Sequence, residues 1–143
     1  MRRRVLFSAL AVASVLAAGE ASAARIVVTI TGLKSNEGGV YVGLYATPSK
    51  FLNGTQVDVM KKVRASTAPI TVVFDNLRPG TYAVGAYHDE NNNDHLDTNF
   101  LGLPTEGYAL SNGVRAVMSK PTFQQAAFTV DDSGAAVTLQ IRY

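Results

Sequence analysis

From residue 24 onward, apolar side chains recur at every second position in run after run, and this alternation constrains the fold more than any other feature of the sequence. A strand with one buried face repeats with period two, whereas an amphipathic helix repeats about every 3.6 residues. Ile26, Val28 and Ile30 alternate with Val27, Thr29 and Thr31, and Val40, Val42 and Leu44 alternate with Tyr41, Gly43 and Tyr45. Ile70, Val72 and Phe74 form the next inward set, with a weaker strand expected over Lys62 to Ser66. Asn76-Leu77-Arg78-Pro79-Gly80 then predicts a tight turn, with Pro presetting φ and Gly taking the backbone that other residues resist. Tyr82, Val84 and Ala86 alternate with Ala83, Gly85 and Tyr87. Near the C-terminus Ala126, Phe128 and Val130, the turn Asp131-Asp132-Ser133-Gly134, and Val137, Leu139, Ile141 and Tyr143 predict a hairpin whose last strand is central or near-central and buries Tyr143. About seven short strands without a long helical pattern predict an all-β protein, an antiparallel β-sandwich.

Residues 1–23 do not fit this pattern. Arg2, Arg3 and Arg4 precede an uncharged run from Val5 to Gly19, and Ala21-Ser22-Ala23 supplies small residues at a cleavage site. This is the layout of a secretory signal peptide, so residues 24–143 are expected to form one domain, periplasmic or secreted. No later stretch approaches the roughly 20 apolar residues of a spanning helix, so insertion in a membrane is not expected. The chain has 143 residues and no Cys, which excludes a disulfide framework, a thiolate metal site and a cysteine nucleophile. Removing the leader takes three arginines and Glu20 from the 13 basic and 11 acidic residues, leaving ten of each. With that balance nucleic acid is not an expected partner.

The acids are unevenly placed. No Lys or Arg occurs between Arg78 and Arg115, yet Asp89, Glu90, Asp94, Asp97 and Glu106 all fall there, which predicts an uncompensated acidic patch. They lie in a connection of 33 residues, Asp89 to Pro121, and structureless loops of that length are uncommon in compact domains unless they carry function. Within it Asp89, Asn91, Asn93 and Asp97 occupy relative positions 1, 3, 5 and 9, with the His95 carbonyl at 7 and apolar Leu96 at 8. That is the spacing of a Ca²⁺ loop, because a hard cation takes six to eight oxygens at about 2.3 to 2.6 Å and alternate residues of a wound loop supply them. Two positions depart from it: Asp94 stands where a Gly permits the sharp turn, and Phe100 where a bidentate Glu is usual. Asp and Asn tolerate left-handed backbone better than most residues, and Glu106 is expected to fold back as the missing ligand. Asp89, Asn91, Asn93, His95, Asp97 and Glu106 are therefore the candidate metal residues. A solvated loop held by Asx turns is the competing expectation, and zinc through His88 and His95 a weaker one.

Other sites can be built from the same sequence. His88, Asp89, Glu90 and Glu106 with Ser111 would make a hydrolase, but no spacing places a base beside the nucleophile, and the parity of His88 favours a hydrogen-bonded histidine at the edge of the core. Tyr41 and Tyr45 on one strand and Tyr87 on another would make an aromatic platform for a glycan or a peptide, against the alternative that they pack across strands or under a covering loop. The helical turn expected around Pro48 to Leu52 lies in the other long connection, Thr47 to Lys61.

Pro79-Gly80-Thr81-Tyr82, His88-Asp89-Glu90-Asn91, Leu96-Asp97-Thr98-Asn99, Gly102-Leu103-Pro104, Glu106-Gly107-Tyr108, Ser111-Asn112, Pro121 and Phe123 together resemble the bacterial family called domain of unknown function 2141. The resemblance spans essentially all of residues 24–143. It implies a small exported protein with a transthyretin-like or immunoglobulin-like sandwich, and no assigned activity. Asn92, Asp94 and Ala109 stand where that family often has glycine. The sequence thus predicts an exported, non-enzymatic binding or structural module with a Ca²⁺-stabilised loop over 89–106, meeting a protein or glycan at the cell envelope.

Overall fold

The computed structural model describes residues 23–143, so the expected signal peptide lies outside the described residues except for Ala23. The alternating segments form eight strands among the described residues: β1 (Ala24–Thr31), β2 (Gly39–Tyr45), β3 (Val59–Arg64), β4 (Ile70–Leu77), β5 (Gly80–Asp89), β6 (Tyr108–Leu110), β7 (Phe128–Val130) and β8 (Ala135–Gln140). They make two packed sheets, one of order β4-β1-β8 and one of order β3-β2-β5-β6, with β7 paired to β5. The β-sandwich expected from the alternation is present. Its inward residues are largely those the alternation marks: Ile26, Val28, Ile30, Val72, Phe74 and Leu139 from one sheet meet Val40, Val42, Leu44, Tyr82, Val84 and Ala86 from the other. No helix among the described residues is long and apolar enough to cross a membrane.

The C-terminal hairpin does not form. The turn itself closes, with Gly134 N–H donating to the Asp131 carbonyl at 3.0 Å. Its two arms then part: β7 pairs antiparallel with β5, while β8 pairs parallel with β1, from Ile26↔Ala135 to Thr31↔Gln140. β8 is consequently an edge strand, and Tyr143 remains 47% exposed instead of buried. Beyond β8 the chain crosses between the sheets: Arg142 and Tyr108 exchange backbone hydrogen bonds of 3.1 and 3.2 Å. On the opposite side of the sandwich Lys61 of β3 donates to the Val73 carbonyl of β4 at 2.5 Å. Smaller shifts follow the same logic of pairing. The weak strand spans Val59–Arg64 instead of starting at Lys62, because β2 offers partners from Gly39 to Leu44. In the β4–β5 turn the left-handed residue is Asn76, at φ 58°, and Gly80 already belongs to β5.

The five-stranded sheet is covered on both faces. On its outer face Tyr45, Ala83, Tyr108 and Leu110 pack with Phe51, Phe123 and Ala126 into a second apolar cluster. Two segments form this roof. The first follows β2, makes the expected helical turn at Pro48–Lys50, and inserts Phe51 edge-on against Tyr45, with ring centroids 5.1 Å apart. The second follows β6 and ends in a four-residue helix, α1 (Phe123–Ala126), which is capped reciprocally by Thr122 and Gln125. Ser111 sews this second segment to the sheet: its hydroxyl donates to the Ala126 carbonyl at 2.6 Å and accepts from Val84 N–H at 3.0 Å.

Candidate functional site

The acidic loop leaves β5 at a point fixed by the turn before β2. Gly38 has φ 72°, and a Cβ there would lie 1.9 Å from the Asp89 carbonyl oxygen, so only glycine lets the two chains approach. Asp89 is fully buried, and its carboxylate accepts N–H bonds from Asn93 at 3.1 Å and Asp94 at 3.0 Å. The side-chain oxygens of Asn91 and Asn93 accept N–H bonds from Asn93 and His95, which are Asx turns. Their amide nitrogens donate to the two oxygens of Asp97, at 2.7 and 2.8 Å. Glu106 does fold back: its oxygens accept from Glu90 N–H at 3.3 Å and Asp97 N–H at 3.0 Å. Asn92 and Asp94 take φ of 56° and 64°, the left-handed backbone that Asn and Asp tolerate better than most residues.

Asp89, Asn91, Asn93, His95, Asp97 and Glu106 thus belong to one wound loop held by hydrogen bonds within the chain. Among the described residues no three His, Asp or Glu side chains cluster closely enough to hold an ion. A cation here would depend on Asn91, Asn93 and the His95 carbonyl as well as Asp97. His88 contributes no ligand. It is fully buried, its Nε2 faces the Glu37 carbonyl at 2.7 Å and its Nδ1 the Tyr143 hydroxyl at 2.5 Å. A carbonyl only accepts, so Nε2 carries a proton and Nδ1 is taken by the phenol. Burial raises the Tyr143 pKa, which keeps that phenol protonated. His88 is the hydrogen-bonded histidine expected at the edge of the core, while His95 is exposed.

The expectation of an uncompensated patch is corrected in part, because two of its five acids are paired with lysines. Lys34 lies 2.8 Å from Glu90, and Lys62 lies 2.7 Å from Asp94, which also accepts the Tyr41 hydroxyl. The Lys34 contact holds the Glu90 carboxyl below its usual range, and Lys62, then Tyr41, do the same for Asp94. Both lysines come from strands and turns distant in sequence, which is why a count along the chain missed them. Nor is the hydrolase arrangement assembled. The Ser111 bonds go to backbone groups, and those of Asp89 and Glu106 go to backbone N–H groups.

The tyrosines meet differently from an open platform. Tyr41 and Tyr87 are register partners on β2 and β5 and stack with centroids 5.0 Å apart at 9°. Burial comes first among the causes that push the Tyr87 hydroxyl well above its ordinary pKa. Tyr45 is buried under Phe51. Beside them, between the two roof segments and the acidic loop, lies a cavity of about 900 Å³. Tyr41, Tyr45, Tyr87, Tyr108 and Leu110 form its floor, and Leu96, Leu101, Leu103 and Met118 are among its walls. Leu101 sits at the tip of a finger that Asp97 to Thr105 build on themselves, through Thr105 N–H to Asp97 carbonyl at 2.8 Å and Asn99 N–H to Leu103 carbonyl at 2.8 Å. This cavity was missed in the sequence, although a signal was present: Gly43, Ala83 and Gly85 occupy outward positions where a solvated face would carry polar residues.

A family model described as an uncharacterized protein conserved in bacteria, DUF2141, matches residues 28–138. The chain belongs to this family. The match begins within β1 and ends within β8, so DUF2141 covers both sheets, the acidic loop and the roof. No curated protein and no solved structure matches the chain.

Proposed function

We propose that this protein is an exported, non-catalytic binding module that holds a ligand over the outer face of its five-stranded sheet. The cavity carries this reading. Its 900 Å³ falls in the range of small-molecule sites, about 300 to 1,000 Å³, and like them it is largely apolar with a few polar groups at its margin. The apolar lining favours an apolar ligand body over a glycan, whose hydroxyls need polar partners. Tyr41 and Tyr87 act as a rigid part of the floor, because each ring is held by the other and Tyr41 is anchored on Asp94. Export is read from residues 1–23. The test is titration with a neutral apolar dye such as Nile red, expected to be saturable and to be abolished by Ala116→Trp, which fills the cavity from a half-buried position. A dye that fails to bind, or binds equally to both, removes the reading.

A second proposal concerns the loop itself: Ca²⁺ binds through Asp89, Asn91, Asn93, the His95 carbonyl, Asp97 and Glu106. Support comes from the gathering of these groups on one turn. The carboxylates already accept hydrogen bonds, so the affinity expected is that of weak extracellular sites, with a Kd of about 10⁻⁴ to 10⁻³ M. Calorimetry in Ca²⁺, in Mg²⁺ and in chelator at matched ionic strength should give the highest melting temperature in Ca²⁺, with Asp97→Ala removing the difference. One temperature in all three leaves the loop as a hydrogen-bonded scaffold only.

A further inference from the structure

The cavity has a direction. Tyr41 and Tyr45 both line it and are four residues apart on β2, so it runs along the strands for about 13 Å at the usual rise per residue. At the Tyr41 end the charge of Asp94 is matched by Lys62. At the other end stand Phe51 and the segment from Met118 to Pro121, and there Lys120 borders both this cavity and a smaller one of about 430 Å³ beside Pro48, Phe51 and Phe123. Four of the five lysines among the described residues are engaged: Lys34 with Glu90, Lys50 with Asp58, Lys61 with the Val73 carbonyl and Lys62 with Asp94. Lys120 alone among them has no partner among the described residues. The mouth is unusual too. Leu101 and Met118, from two facing loops, line the cavity yet are 68% and 96% exposed, and their neighbours Phe100 and Val117 are exposed as well. Such apolar surface is costly to leave in water, and the parts of Leu101 and Met118 that line the cavity are positioned to cover a chain-like ligand.

We propose that the cavity binds a long-chain carboxylate, with its apolar chain along β2 and β5 towards the Tyr41–Tyr87 pair and its head group at the Lys120 ammonium. The proposal rests on the reading of the cavity as a ligand site and adds the chemistry of the ligand. Three features define that chemistry: an elongated apolar floor, a single unmatched cation at one end, and an opposite end whose charges are already paired. A neutral lipid leaves Lys120 unused, and a dianionic head brings more charge than one lysine matches.

The test uses the purified protein and the fluorescent fatty acid cis-parinarate, displaced by palmitate or by methyl palmitate, which differ only at the head group. Palmitate is expected to displace about tenfold more effectively, the scale of one charge-assisted hydrogen bond. Lys120→Glu should abolish that preference and Lys120→Arg retain it, with the melting temperature unchanged because Lys120 is exposed. Equal displacement by acid and ester, or a preference that survives Lys120→Glu, overturns the carboxylate while leaving the cavity as a site if Ala116→Trp still weakens both. Failure of parinarate and ester alike to bind overturns both readings. Sedimentation with anionic phospholipid vesicles that palmitate does not compete would identify a membrane surface as the occupant instead, and the proposal would be wrong.

Discussion

Asn92 shows how a single backbone angle can be separated from everything else around it. Its φ of 56° is left-handed, its side chain is exposed, and Cβ-bearing residues other than Asn and Asp resist that conformation by about 1 to 2 kcal/mol. Asn92→Ala should therefore destabilise the domain by about 1 kcal/mol in urea unfolding, while Asn92→Gly stays close to neutral. A loss of equal size in both would point to a side-chain contact instead. His88 poses the converse problem, a buried polar group whose partners are both supplied by distant residues, Glu37 and Tyr143. Tyr143→Phe removes the hydroxyl from Nδ1 and should cost about 1 to 3 kcal/mol, the penalty of an unpaired buried acceptor. The same ring meets Gly107, where a Cβ would lie 2.5 Å from it, so the expected position of Tyr143 in the core gave way to a wedge between chain end and loop.

Elements in this fold owe their placement to side-chain ties as much as to strand pairing. Asp58 shows it best. Its carboxylate accepts Ala46 N–H at 2.7 Å and Thr47 N–H at 2.9 Å, and it pairs with Lys50 at 2.6 Å, closing the first roof segment onto the end of β2. Burial works to raise its pKa, but Lys50 and the two amides outweigh this and hold it at about 2. The folded value is thus below the unfolded value near 3.9, so the contribution is complete above about pH 4 and disappears as pH falls through about 2. The melting temperature of the wild type should exceed that of Asp58→Asn at pH 6, with the gap closing at pH 2; a gap independent of pH would mean the carboxylate charge is irrelevant to the roof. β8 supplies a second check. Leu139 is 1% exposed even though its strand lies at an edge, so Leu139→Ala should cost about 2 to 5 kcal/mol by denaturant titration.

At the scale of the whole molecule the protein is a sandwich with a third layer. The two sheets share one core, and the roof forms a second around Phe51 and Phe123, so the five-stranded sheet has apolar residues on both faces. This layer makes the cavity possible, since a sheet open to water offers only a flat surface. The sandwich is also closed at its sides, by Lys61 on Val73 and by the Arg142–Tyr108 pair. Export is a prediction at this scale: intact mass of the protein recovered from the periplasm or medium should begin at Ala24, with the three leader arginines gone and the net charge near zero. Retention of Arg2 to Arg4 would contradict it.

The sequence by itself determined the fold class, because alternation with period two decides which side chains can be buried together, and Ile26, Val28, Val42, Val84 and Leu139 are found where that period places them. It also determined the winding of the loop, since Asp89, Asn91 and Asn93 make their turns with neighbours a few residues away. Tertiary structure alone decided the rest. Pairing partners depend on contacts far along the chain, so the C-terminal arms, adjacent in sequence, separated into different sheets. Charge balance depends on distance through space, so Lys34 and Lys62 neutralised acids that stand 56 and 32 residues away in sequence. The cavity followed from both, because a roof assembled from residues 47–57 and 111–127 over Gly43, Ala83 and Gly85 has no local signature beyond the small size of what it covers.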